Sequence, residues 1–205
     1  MTRPYDQLFY WPNVLTIVRI LLIPLLVIFF YLPYWWSHIA AASLFAVASA
    51  TDWLDGYLAR YLKQSTKLGA FLDPVADKLM VSVALVLIVA EPTFRYVSTD
   101  SKMVEIHSAV ITIPAAIIVA RELIVSALRE WMAEIGKRAS VGVSSLGKLK
   151  TAVQMIALMI LLYCDNATNV VLVFCGYFLL YVAAVLTIWS MCIYLNAAWV
   201  QLNAD

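Results

Sequence analysis

The chain has 205 residues, of which 64% are hydrophobic and only 13% are charged. Soluble domains usually carry about 25% charged residues, so the composition argues against a soluble protein and indicates an integral membrane protein. The net charge of +1 gives no reason to expect a nucleic-acid partner. A spanning helix needs roughly 20 apolar residues, and six of them would use most of the chain, which predicts one membrane domain over residues 1–205.

Six apolar segments follow one another along the sequence, and each predicts a membrane-spanning helix. They cover residues 13–33, 36–60, 70–91, 108–134, 147–164 and 168–195. We therefore predict an all-α fold with a six-helix bundle over residues 13–195. Residues 1–12 contain aromatic side chains that suit an interfacial segment at the lipid headgroups, although a disordered terminus fits equally well. The polar residues 92–107 are predicted to form a loop.

Positive charges are distributed unevenly between the predicted connections. The segments 61–69 and 135–147 contain lysines and arginines, whereas the turns at 33–37 and 164–169 contain none. Connections rich in lysine and arginine stay in the cytoplasm, which predicts that both termini are also cytoplasmic. The same orientation places the end of the second helix and the start of the third helix at the cytoplasmic side.

Four aspartates lie at those two helix ends. Asp52 and Asp55 are three residues apart, and Asp73 and Asp77 are four apart, so each pair shares one helix face. If the two helices are antiparallel, the pairs face each other, and four neighbouring carboxylates repel unless a cation lies among them. Hard oxygen ligands suit Mg²⁺, Mn²⁺ or Ca²⁺. The alternative is that these aspartates only cap helix ends in the headgroup region. Two pairs at matched helical spacings argue against that alternative.

The same stretch has the pattern D-x2-D-G-x2-A-R-x8-G-x3-D-x3-D. Its fixed positions are Asp52, Asp55, Gly56, Ala59, Arg60, Gly69, Asp73 and Asp77. This pattern resembles the signature of the CDP-alcohol phosphotransferase family and departs from it nowhere. The resemblance implies six membrane helices with a polar, metal-containing cavity at the cytoplasmic side of a bacterial inner membrane. It also implies a homodimer, since family members are commonly dimeric.

The resemblance assigns a role to each of these side chains. Two Mg²⁺ or Mn²⁺ ions would be held by Asp52, Asp55, Asp73 and Asp77. Asp77 would also accept the proton of the attacking hydroxyl, although a metal ligand is a poorer base. The nucleotide of CDP-diacylglycerol would be contacted by Gly56, Arg60 and Thr66. Two cations can hold a diphosphate and stabilise charge on the leaving oxygen.

A second group of polar residues opens the first helix. Asn13, Thr16 and Arg19 recur every three residues and therefore lie roughly on one face. In the family, a P-N-x-L-T-x-x-R segment helps to form the nucleotide pocket, which implies that these three side chains bind CDP-diacylglycerol. A helix cap at Asn13 and a snorkelling Arg19 are the alternatives.

Positively charged side chains occur within the apolar fourth helix and at the start of the fifth. Arg121 and Arg129 are eight residues apart and share a face of the fourth helix, and arginine binds phosphate with a forked geometry. These segments are similar to the bacterial phosphatidylglycerophosphate synthase branch of the family, which implies sn-glycerol 3-phosphate as the acceptor. Its phosphate would be bound by Arg121, Arg129, Lys137, Lys148 and Lys150. The alternatives are contacts with anionic lipid and structural ion pairs, and pairs with Glu122 or Glu130 would have to form between helices because adjacent residues do not face each other.

Two other functions stay open at this point. A sister enzyme could use a different acceptor alcohol, as cardiolipin-type or phosphatidylinositol-phosphate-type synthases do. A small cation transporter could use the aspartates as an ion path. The transporter leaves Gly56, Arg60 and the polar face of the first helix without a role.

Overall fold

The structure is a computed structural model that describes residues 11–62, 67–92, 96–99, 102–105, 107–135, 145–165 and 168–202. The described residues form six α-helices and one β-hairpin. The helices are α1 (Trp11–Phe30), α2 (Ser37–Leu62), α3 (Lys67–Ala90), α4 (Ala109–Glu134), α5 (Ser145–Tyr163) and α6 (Val170–Leu202). The prediction of six helices is confirmed. The largest difference is at the end of α6, which continues to Leu202. The apolar segment itself runs past the polar Asn196 to Trp199, and Ala197 and Ala198 favour a helix.

The hairpin was not predicted. Strands β1 (Tyr96–Thr99) and β2 (Lys102–Glu105) pair antiparallel, with Tyr96 opposite Glu105 and Thr99 opposite Lys102. The prediction of a plain loop over residues 92–107 is therefore wrong. Composition alone marks this stretch as polar, whereas its β-branched residues and short alternation favour paired strands.

The chain divides into two compact units. The first comprises Met1–Ala90 and Leu162–Ala167, and the second comprises Glu91–Leu161 and Thr168–Asp205. In the first unit, α1 packs against both α2 and α3. Leu26, Phe45 and Met80 are buried in this core, one from each of the three helices. The single membrane domain over residues 1–205 stays a prediction.

In the second unit, α4 packs against α6, and side chains of α5 lie against α6 at Gly176. A Cβ atom at Gly176 would lie 2.7 Å from a methyl carbon of Leu161. Leu161 is fully buried, so this side chain has little room to move away. The missing side chain at Gly176 therefore makes room for the Leu161 side chain of α5.

In the described part of the chain, three helices are long and apolar enough to cross a membrane. These segments are Asn13–Phe30, Ala109–Glu134 and Val170–Trp199, and Leu149–Tyr163 is a shorter apolar helix. No more than 39% of any of the three long segments is buried inside the protein. Large apolar side chains such as Leu21 and Phe178 consequently face outward, as expected for helices surrounded by lipid. The chain is thus a multi-pass membrane protein, and the number of six spans stays a prediction.

Candidate active site

The polar face of α1 is buried. Asn13 is 1% exposed, and Thr16 and Arg19 are not exposed at all. Asn13 is the third residue of α1, not its cap, because the helix begins at Trp11. A snorkelling arginine would keep its guanidinium in water, so both alternatives to an inward-facing polar stripe are wrong. The stripe on one face of α1 is present as the spacing predicts.

Arg19 joins two of the aspartates. Its Nη1 donates to Oδ1 of Asp52 at 2.8 Å and to Oδ1 of Asp77 at 2.7 Å. Because both oxygens accept from the same nitrogen, they are separated by no more than the sum of these distances. Asp52 lies on α2 and Asp77 on α3. The two helices therefore bring their carboxylates to one point, where α1 supplies the positive charge.

Asp73, another aspartate of the pattern, is also held by α1. The Thr16 hydroxyl donates to Oδ1 of Asp73, which lies one helical turn before Asp77. Thr16 and Arg19 are likewise one turn apart on α1. Adjacent turns of α1 thus bind adjacent turns of α3, and this fixes the rotation of both helices about their axes.

The electrostatics of this cluster favour a further cation. The side chains of Asp52 and Asp77 are each 42% exposed, whereas Arg19 is fully buried. Asp52 and Asp77 share the single positive charge of Arg19, and Asp73 lies one turn before Asp77 on α3, so these four side chains carry more negative than positive charge. Two carboxylates about 5 Å apart repel by roughly 3 kcal/mol at the effective dielectric of a protein surface. A divalent cation bound from the open side would remove that repulsion.

The donor set suits such an ion. Among the described side chains, no group of three or more histidines, cysteines, aspartates or glutamates is arranged to hold a metal. Asp52 and Asp77 nevertheless offer carboxylate oxygens close together, and oxygen is the ligand that Mg²⁺ and Mn²⁺ prefer. The chemistry of these residues therefore fits a hard divalent cation.

Several predicted site residues fall outside the described part of the chain. The backbone of α2 includes Asp55, Gly56 and Arg60, and that of α5 includes Lys148, but their side chains are not described. Thr66 and Lys137 lie outside the described residues altogether. The roles assigned to these residues stay predictions.

A second charged cluster lies in the other unit. Nη1 of Arg121 donates to Oε1 of Glu122 at 2.9 Å, and Nζ of Lys150 donates to the same oxygen at 2.9 Å. Nη2 of Arg121 also donates to Oγ of Ser190 at 3.3 Å. Glu122 therefore links a cation of α4 to a cation of α5, and Arg121 links α4 to α6.

The contact between Arg121 and Glu122 corrects one expectation. Adjacent helical residues were expected to pair only with other helices, because their Cα–Cβ bonds diverge. Both side chains are long enough to bend toward each other, and burial of the Arg121 side chain to 11% exposure strengthens their attraction. The pairing of Glu122 with Lys150 does form between helices, as expected.

Arg129 continues the charged face of α4. Its guanidinium lies over the ring of Tyr194, 5.8 Å from the ring centre, a distance that permits a cation–π contact. Tyr194 follows Ser190 by one turn of α6, so Arg121 and Arg129 lie along the same side of α6. This agrees with the eight-residue spacing, although Arg129 is exposed whereas Arg121 is mostly buried.

Three polar residues on the helices of this cluster were not predicted. Gln154 and Thr187 are buried, with 3% and 0% exposure, and Ser190 contacts Arg121. Gln154 could have been found, since an amide one turn after Lys150 in an apolar helix indicates a polar interior. Thr187 and Ser190 gave no such signal because small hydroxyl residues are common in membrane helices.

Comparison with known proteins agrees with this arrangement. Residues 9–189 match the family described as CDP-alcohol phosphatidyltransferase. A protein of Pseudomonas fluorescens is 53% identical over 195 residues, which cover 95% of this chain and 92% of the relative. Proteins of Escherichia coli K12 and Shigella sonnei are 53% identical over 187 residues, which cover 91% of this chain and 93% of each relative. All three relatives are named CDP-diacylglycerol–glycerol-3-phosphate 3-phosphatidyltransferase.

The family match and the relatives cover nearly the whole chain, including both charged clusters. The aspartates that the pattern singled out lie on the two helices that α1 binds. By sequence and by the placement of these residues, the chain belongs to the CDP-alcohol phosphatidyltransferase family.

Proposed function

We propose that this chain transfers the phosphatidyl group of CDP-diacylglycerol to sn-glycerol 3-phosphate. The products are phosphatidylglycerophosphate and CMP, in the synthesis of phosphatidylglycerol and cardiolipin. The relatives that carry this activity in their names are 53% identical over nearly the whole chain. Within the structure, the observation that supports the proposal is the convergence of Asp52 and Asp77 on one nitrogen of Arg19.

In the proposed reaction, a hydroxyl oxygen of the acceptor attacks the β-phosphorus of CDP-diacylglycerol. The bond between this phosphorus and the bridging oxygen breaks, and CMP leaves with that oxygen. The hydroxyl proton passes to a carboxylate, for which Asp77 is our candidate. Its side chain is 42% exposed and accessible, whereas its Oδ1 is fixed by Arg19. A fixed carboxylate meets the geometric requirement on a general base.

Two Mg²⁺ or Mn²⁺ ions would be held by Asp52, Asp55, Asp73 and Asp77. When bound, such ions neutralise the diphosphate and stabilise charge on the leaving oxygen. The chain itself positions the ligands: Arg19 holds Asp52 and Asp77, and Thr16 holds Asp73. Ligands held in place in this way contribute the positioning on which phosphoryl transfer depends.

We assign the nucleotide to residues beside these carboxylates. Asn13, Gly56, Arg60 and Thr66 are the proposed contacts, and Arg60 would neutralise phosphate charge. We propose Thr16 and Arg19 as further nucleotide contacts, beside their observed bonds to the carboxylates. The ordering of α1 against α2 and α3 thus serves both the nucleotide and the cations.

The acceptor phosphate is assigned to the cations of the second unit. Arg121, Arg129 and Lys150 are described there, and Lys137 and Lys148 complete the proposed set. Glu122 accepts from both Arg121 and Lys150, which holds two cations close together despite their mutual repulsion. Paired cations suit a dianionic phosphate because each contributes a charge-assisted hydrogen bond.

The protein is proposed to lie in the bacterial cytoplasmic membrane with six spans and both termini in the cytoplasm. The lysine- and arginine-rich connections support this orientation. We also propose a homodimer, for which the exposed apolar faces of the helices provide surface. The charged headgroups would react at the cytoplasmic side while the acyl chains stay in lipid.

An acceptor panel tests the proposed reaction. Purified protein with CDP-diacylglycerol and Mg²⁺ is expected to release CMP when sn-glycerol 3-phosphate is added, and to form a lipid with two phosphates. Inositol phosphate, serine and phosphatidylglycerol are expected to give no release above background. If CMP is released with one of those acceptors and not with sn-glycerol 3-phosphate, the proposed acceptor is wrong, although the family assignment still holds. Release without any divalent cation would contradict the proposed chemistry.

A further inference from the structure

Three buried polar atoms in the second unit have no hydrogen-bond partner among the described residues. They are Nε of Arg121, Oε1 of Gln154 and Oγ1 of Thr187. Gln154 is 3% exposed and Thr187 is fully buried. A buried polar atom without a partner costs free energy comparable to a lost hydrogen bond, so three of them in one unit call for an explanation.

All three atoms belong to residues on the helices that carry the charged cluster of the second unit. Arg121 belongs to that cluster through its contacts with Glu122 and Ser190. Gln154 is one turn after Lys150 on α5, and Thr187 is three residues before Ser190 on α6, so each shares a helix face with a cluster member. The unpartnered atoms therefore come from the three helices that the cluster joins.

The chemistry of these atoms specifies what would satisfy them. Oε1 of Gln154 can only accept, so its partner must be a donor, whereas the Thr187 hydroxyl can donate or accept. A secondary alcohol both donates and accepts and therefore matches this pair. The neighbouring cations Arg121 and Lys150 match a phosphate. A small molecule with a phosphate next to a hydroxyl would satisfy the whole group.

We propose that Gln154 and Thr187 bind the non-reacting secondary hydroxyl of glycerol 3-phosphate and thereby set the acceptor specificity. The inference rests on the proposed function, in which Arg121 and Lys150 bind the acceptor phosphate. Gln154 accepts the hydroxyl hydrogen, and the Thr187 hydroxyl donates to the hydroxyl oxygen. A site built to hydrogen-bond a hydroxyl discriminates strongly against an analogue that lacks it, because its buried polar groups are then left unpaired.

The test compares two acceptors that differ only in this hydroxyl. Glycerol 3-phosphate is set against 3-hydroxypropyl phosphate, which keeps the phosphate and a primary hydroxyl. We expect the unmodified protein to prefer glycerol 3-phosphate in kcat/KM by roughly a hundredfold. In Gln154→Met and in Thr187→Val, which keep size but lose the polar atom, this preference is expected to fall by about tenfold or more. The rate with the analogue should change little.

Matched variants separate the possible failures. Thr151→Val changes an exposed threonine of α5 and is expected to leave the preference unaltered. Arg129→Ala is expected to raise the KM for both acceptors in equal proportion, since both carry a phosphate. If Arg129→Ala leaves both KM values unchanged, the phosphate assignment fails. If it raises them while Gln154→Met and Thr187→Val keep the full preference, the hydroxyl assignment alone fails and buried water satisfies these atoms. Thr187→Val is nearly isosteric, so it decides the question even if Gln154→Met does not fold.

Discussion

Replacing Asp77 with asparagine is expected to lower the rate of CMP release by roughly a thousandfold or more. Asparagine keeps the size of the side chain, but its carboxamide is neutral, cannot take a proton at neutral pH and offers one oxygen instead of two. Asp77 would thus lose its role as base and as cation ligand together. The rate is measured as radiolabelled CMP released by purified protein at saturating concentrations of both substrates and Mg²⁺.

The same chemical change at Asp165 provides the control. Asp165 follows the end of α5 and is not part of the aspartate pattern or of either charged cluster. Asp165→Asn should therefore retain nearly full activity. Thermal unfolding of each variant checks that the Asp77→Asn protein still folds in detergent. Activity within tenfold of the unmodified protein in folded Asp77→Asn would show that this carboxylate is neither base nor essential ligand.

Replacing Arg19 with glutamine is expected to lower the free energy of unfolding by roughly 2–4 kcal/mol. The guanidinium is fully buried and bonded to Asp52 and Asp77, and its removal leaves two carboxylates facing each other. The loss should be smaller than for a fully buried pair, because both aspartates are 42% exposed and water screens them. The measurement is the thermal unfolding midpoint in detergent without divalent cations.

Added Mn²⁺ should distinguish this mechanism from a simple packing defect. A cation bound by Asp52 and Asp77 replaces the missing charge, so Mn²⁺ should raise the unfolding midpoint of Arg19→Gln more than that of the unmodified protein. Arg19→Lys keeps the charge, so Mn²⁺ is expected to raise its unfolding midpoint by an amount between those for Arg19→Gln and the unmodified protein. If Mn²⁺ stabilises all three proteins equally, Arg19 does not counterbalance these carboxylates.

Hydropathy predicted the helices well because each apolar segment is long and sharply bounded. The prediction failed at one helix end and in the polar connection. α6 continues to Leu202, because its apolar segment resumes after the polar Asn196 and runs to Trp199, and the hairpin at Tyr96–Thr99 depends on strand pairing that composition does not show. Helix ends at isolated polar residues and short strands are therefore the parts of this fold that need coordinates.

The meeting of Asp52 with Asp77 could be predicted because helical spacing fixes which side chains share a face and the short connection allows α2 and α3 to run antiparallel. The partners of these carboxylates could not, since they depend on how α1 is rotated against α2 and α3. The sequence predicted nucleotide contacts for Arg19 and Thr16, which stay predictions, and gave no indication that both bond to the aspartates. Likewise, the pairing of Arg121 with Glu122 depends on side-chain conformations that spacing does not determine.

The central claim is that aspartates of α2 and α3 jointly hold divalent cations, and electron paramagnetic resonance of bound Mn²⁺ tests it most directly. Purified protein titrated with Mn²⁺ in the presence of CDP-diacylglycerol is expected to bind about two ions per chain, with the broadened signal of neighbouring ions. The double variant Asp52→Asn with Asp77→Asn should lose this signal. An unchanged spectrum and stoichiometry in the double variant would contradict the account.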